Sequence, residues 1–152
     1  MTAPSTPQTP APQTEANAAL VRRLYEEIIN HGDQSALSDV IAPDFIDHIP
    51  QPMPGQPATG LKAIQWFIDT ARAAVPDLQA TIEDVIAEGD KVAIRVTWRG
   101  TQRGRLLGAD PTGKKVCFTG IDIARIAEGK IVEHWGQVDV LQVVAQLGFM
   151  PI

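Results

Sequence analysis

The chain has 152 residues, a mass of 16.4 kDa and a formal net charge of −5, which suits one domain able to bury roughly 70% of its unfolded surface without staples. The acidic balance argues against nucleic acid, whose binding needs clustered Lys and Arg, and no apolar run approaches the ~20 residues of a membrane span. The single cysteine, Cys117, excludes an internal disulfide, and the lack of a Cys/His cluster excludes a structural zinc site.

Residues 1–15 hold four prolines, four threonines and no Lys or Arg, so they read as a disordered tail before a domain spanning 16–152. They lack the basic start and apolar stretch of a signal peptide, so a cytoplasmic location is expected. From Ala16, the residues Ala19, Leu20, Leu24, Ile28 and Ile29 recur at helical spacing and predict an amphipathic helix ending near Gly32. A short helix over 35–41, an extended piece over 45–48 and a proline-rich loop over 50–57 follow. A third helix is expected over 60–75, with Leu61, Ile64, Phe67, Ile68 and Ala71 on one stripe. The remainder reads as strands. Segments 78–87 and 91–101 flank Glu88-Gly89-Asp90, and segments 116–126 and 130–140 flank Ala127-Glu128-Gly129, which are two hairpin signals. A loop over 103–114 separates them, and 141–147 suits a final helical turn. Helices first and a curled antiparallel sheet after them is the α+β pattern.

Side chains alternate along a strand, so parity tells which residues share a face. Val92, Ile94, Val96 and Trp98 form an apolar face. On the next strand Asp122 is the one carboxylate among Val116, Phe118, Ala124 and Ile126. On the last strand His134 is the one ionisable group among Val132, Val138 and Val140. A buried carboxylate or imidazole is costly, and chains keep such groups chiefly where binding or chemistry uses them. Two of them on strands joined by one hairpin point to a shared pocket, although each alone is as well explained as a buried polar group tied to backbone.

The run GDKVAIRVTWRGTQRG…PTGKKVCFTGIDIARIAEGKIVEHWGQVD, with ALVRRLYEEIINHGD and APDFIDH before it, resembles the SnoaL-like polyketide cyclases of the nuclear-transport-factor-like superfamily. The resemblance covers Ala16 to Leu147. It implies a cone-shaped α+β barrel, often a homodimer through the sheet. It also implies intramolecular aldol cyclisation without metal or organic cofactor. By resemblance the family's acid/base aspartate matches Asp139, the oxyanion-side carboxyl of ketosteroid isomerase matches Asp122, and a site histidine and tyrosine match His48 and Tyr25. Asp139 and His134 have opposite parity, so a regular strand cannot turn both inward. A bulge at Gly136 would reconcile them.

The reading is therefore a small enzyme with an apolar pocket and a hydrophobic carbonyl substrate. Asp122, Asp139, His134 and His48 are the candidate acid/base groups, and Tyr25, Trp66, Phe67, Trp98, Phe118 and Trp135 the candidate substrate contacts. Aldol chemistry needs one group to take a proton from carbon and another to stabilise the enolate oxygen. The same groups could activate water, as in the epoxide hydrolase relatives, or line a pocket that only binds. The odd face of the sheet, with Thr97, Thr119 and Trp135 among Arg95, Arg99, Glu133 and Gln137, suits a homodimer interface.

Overall fold

The computed structural model describes residues 12–49 and 53–150. Its first element is a helix in two parts, α1 (Pro12–Arg22) and a π-helical continuation over Arg23–Ile29. The helix starts at Pro12 rather than Ala16, because proline suits a first helical turn whose N–H groups lack partners anyway. Residues 12–15 thus belong to it, while the expected tail over 1–11 lies outside the described residues. In the second part the Asn30 N–H donates to the Tyr25 carbonyl, the wider π pitch. Val21, Leu24, Tyr25, Ile28 and Ile29 are buried, and Arg22–Glu26 and Arg23–Glu27 form ion pairs one turn apart on the outer side. Gly32 ends the helix at φ +70°, donating back to Ile28 and Ile29.

A short helix α2 (Leu37–Val40) runs directly into strand β1 (Ile41–Asp47), so the expected helix over 35–41 is shorter and the extended piece longer. Pro43 is tolerated there because β1 is an edge strand. Helix α3 (Leu61–Ala74) buries Ala63, Ile64 and Ile68 on one stripe. Strands β2 (Gln79–Glu88), β3 (Lys91–Thr101), β4 (Lys115–Ala127) and β5 (Lys130–Val138) follow, and helix α4 (Val140–Gln146) ends the fold. Among the described residues no helix is long and apolar enough to cross a membrane.

The fold is α+β, with helices on one face of a curled five-stranded sheet ordered β1-β5-β4-β3-β2. Strands β2 to β5 form an antiparallel meander, as the two hairpin signals require. The sheet is nevertheless mixed, because β1 pairs with β5 in parallel. No tight turn joins these two strands, so nothing forces them antiparallel. The inner face buries Val92, Ile94, Val96 and Trp98 of β3 with Val116, Ala124 and Ile126 of β4. Phe45 of β1 and Ile131 of β5 complete this core.

One irregularity decides what β5 presents. Arg125 pairs with Glu133, but Ile126 pairs with Ile131, so Val132 is an extra residue. This is a β-bulge, and it lets odd-numbered Ile131 and even-numbered His134 both face inward. The bulge lies at Val132, not at Gly136 as the parity argument anticipated. At Ala80 the open edge of β2 is paired by a side chain, since the Asn30 amide accepts from the Ala80 N–H at 2.6 Å and donates to the Ala80 carbonyl at 2.9 Å. The loop over 103–114 is organised by Gln102, fully buried and bonded to Gly104, Asp110 and Thr112.

Candidate active site

Between the α1/π helix, α3 and the inner face of the sheet lies a cavity of about 650 Å³. Its wall is overwhelmingly apolar. Trp66, Phe67, Trp98 and Phe118 line it with Leu24, Ile64, Ile94 and Ala124. Trp98 sits at the centre of an aromatic group, its ring 5.9 Å from those of Tyr25 and Phe67 and 6.4 Å from that of Phe118. Exposed lining residues mark the mouth: Met53, Leu107, Val138 and Val140. Arg105, beside them, pairs loosely with Asp110 at 3.6 Å.

Four polar groups of the wall converge at one place. Tyr25 reaches down from the π segment, and its hydroxyl donates to Asp122 Oδ2 at 2.7 Å. Asp122, on β4, is buried. His134 Nε2 stands 3.4 Å from Asp122 Oδ1, an ion-pair contact rather than an aligned hydrogen bond. The other ring nitrogen, Nδ1, bonds Asp47 Oδ1 at 2.9 Å. Asp47 and His134 are register partners across β1 and β5. The result is a chain of four side chains, Tyr25–Asp122–His134–Asp47, drawn from a helix and three strands. Sequence reasoning missed Asp47, which shares a face with fully buried Phe45, because apolar Ile46 gives the opposite parity the same sequence signal.

The electrostatics follow from this order. Burial alone would drive His134 toward the neutral form, but the close approach of Asp122, the hydrogen bond to Asp47 and the charges of both outweigh it and raise its pKa to about 9. At neutral pH the imidazole is a cation between two carboxylates. Burial, joined by the charge of Asp122 and the hydrogen bond to it, pushes the Tyr25 hydroxyl well above the ordinary tyrosine range. Tyr25 therefore remains a proton-bearing donor. Asp122 is not alone on an apolar face, as the strand pattern implied, since a cation and a hydroxyl both address it.

Residues 19–147 match the family model of the SnoaL-like polyketide cyclases. The chain belongs to the SnoaL-like polyketide cyclase family. It is 29% identical over 121 residues to the nogalonic acid methyl ester cyclase of Streptomyces nogalater, covering 78% of this chain and 88% of that one. Among solved structures it resembles IdmH of Streptomyces antibioticus, a proposed polyketide cyclase, at 34% identity and a TM-score of 0.76, covering 87% of this chain and 98% of that one. It resembles AclR of Streptomyces galilaeus, a proposed hydroxylase, at 26% identity and a TM-score of 0.79, covering 91% and 89%. These relations make the chain a cyclase-like enzyme.

Against the SnoaL-like pattern, three of the candidate residues stand apart from the cavity. Asp139 has left β5 and is exposed. Its Oδ1 accepts from the Gln142 N–H at 3.0 Å, which makes it the N-cap of α4. His48 and Trp135 lie on the outer face of the sheet, their rings stacked at 4.8 Å with 8° between planes. His48 Nε2 also meets Glu133 Oε1 at 3.1 Å. The physical reason is parity: His48 follows inward-facing Asp47, and Trp135 follows inward-facing His134. Asp122, His134, Tyr25, Trp66, Phe67, Trp98 and Phe118 do come together around the cavity.

Proposed function

We propose that this SnoaL-like protein is a lyase or isomerase that closes or rearranges a ring on a hydrophobic carbonyl compound by acid/base chemistry. One observation carries the reading: a Tyr25–Asp122–His134–Asp47 chain, buried at Tyr25 and Asp122, opens onto a largely apolar cavity. In the proposed reaction Asp122 takes a proton from carbon next to the carbonyl. As its carboxylate is neutralised it loses its hold on the Tyr25 hydroxyl, which is freed to donate to the enolate oxygen. Cationic His134 balances the charge that moves, and Asp47 holds the imidazole in place. The aromatic wall fits a planar or polycyclic substrate, and the methyl ester of the Streptomyces nogalater relative suggests an ester-bearing probe.

The test is to incubate the protein in deuterium oxide with an enolisable polycyclic methyl ester. Deuterium should enter the carbon beside the carbonyl, and the ring-closed product should follow. Binding without exchange would favour a non-catalytic ligand carrier, and ester or epoxide hydrolysis would favour a hydrolase.

We also propose that the chain forms a homodimer through the outer face of the sheet. Ile86 and Ile121 are 69% and 57% exposed there, beside Ile123 and the Trp135–His48 stack. Light scattering at micromolar concentration should give twice the chain mass, and a monomer mass would overturn the dimer.

A further inference from the structure

Asp122 and Gly136 are direct cross-strand partners on β4 and β5, and both line the cavity. A Cβ placed on Gly136 would stand 2.6 Å from Asp122 Oδ1, 2.9 Å from His134 Cε1 and 3.3 Å from His134 Nε2. The Asp122 carboxylate therefore leans across the strand pair into the volume that any other residue at 136 would fill. The backbone does not ask for glycine at this point, since Gly136 is not among the residues with positive φ. A glycine inside a strand weakens it and gives up a packing side chain. Close approach of another group is a physical reason for one, and it is the one seen here.

We infer that Gly136 is a positioning residue for Asp122, its missing side chain being what lets the carboxylate cross to His134. The inference rests on the reading of Asp122 as the reacting carboxylate. It has a corollary. Positions 122 and 136 oppose each other on one face, so the unit is one carboxylate and one glycine, and either strand can supply the carboxylate.

The experiment is an NMR titration of the His134 ring in three proteins: the natural chain, Gly136→Ala, and the exchange variant Asp122→Gly/Gly136→Asp. The natural chain should titrate at about 9. In Gly136→Ala the new methyl meets side-chain ends rather than backbone, so the fold is retained while the Asp122 carboxylate, and by a smaller amount the His134 ring, is displaced. His134 should then titrate lower by about one unit or more, and turnover of the enolisable ester should fall by about 10²-fold. The exchange variant should restore the raised titration. A Gly136→Ala protein whose His134 titrates as in the natural chain overturns the inference, and so does an exchange variant that fails to restore it. If Gly136→Ala does not fold, the exchange variant decides alone: folded with a raised His134 supports the inference, and unfolded overturns it. The titration needs no substrate. A natural chain that turns nothing over, but whose His134 responds to Gly136→Ala, would sink the activity and leave the placement standing.

Discussion

Asp122→Asn lowers turnover of an enolisable ester by about 10²- to 10⁴-fold while the protein stays folded. The amide keeps the shape of the carboxyl group, and its oxygen can still accept from the Tyr25 hydroxyl that now lies 2.7 Å away. What it cannot do is take a proton from carbon. It also removes the negative charge that faces His134 at 3.4 Å, so the imidazole should titrate below its natural value of about 9. The two readouts separate chemistry from placement. Rate constants measured with saturating and limiting substrate should show the loss in kcat, because the apolar wall that binds the substrate is untouched. Turnover within tenfold of the natural chain would remove Asp122 from the reaction.

The second large effect is on stability against pH. His134 titrates near 6.5 when unfolded and at about 9 when folded. A group whose folded value is raised stabilises the fold fully below the unfolded value and loses that contribution as the pH climbs through the folded one. The contribution is therefore whole below pH 6.5, declines from there to about 9, and is gone above it. Its size is on the order of 3 kcal/mol at most. Urea unfolding at pH 6, 7.5 and 9.5 should show the midpoint falling. Asp47→Asn removes one of the two carboxylates and should flatten the curve in the same window. A natural chain whose midpoint is level or rising from pH 6.5 to 9 would contradict the imidazolium.

Much of this fold follows from local patterns. Strand β3 has the bounds that its alternation predicts, and β4 turns the predicted residues inward, so parity alone placed Asp122 and Trp98 on the cavity wall. The amphipathic helices follow from their stripes. Legibility ended where the backbone departs from a regular period. One extra residue at Val132 resets the faces of β5, and hydropathy has no sign for it, since valine suits a bulge as well as a strand. Asp139 looked like a strand residue because Val138 and Val140 flank it. Its carboxylate instead competes for the free N–H groups of α4, a role aspartate fills as readily as catalysis. His48 and Asp47 are neighbours in sequence, and the family likeness drew attention to the one whose ring lies on the outer face. Only the burial of Phe45 fixes which of them faces in.

The bulge at Val132 has an evolutionary side. It puts one spare residue into a strand whose alternation is otherwise a reading frame for which side chains face in. Loss of the extra residue would leave a regular ladder with Ile131 opposite Ile126 and His134 opposite Ala124, both still inward, whereas loss of the one residue between His134 and Gly136 would turn one of those two outward. Insertions in the loops at either end of β5 leave this frame alone. Descendants of this chain can therefore change the mouth of the cavity in length and composition, and so change what enters. What must stay constant in every lineage that keeps the four-residue chain is the register that sets His134 opposite Ala124 and Gly136 opposite Asp122.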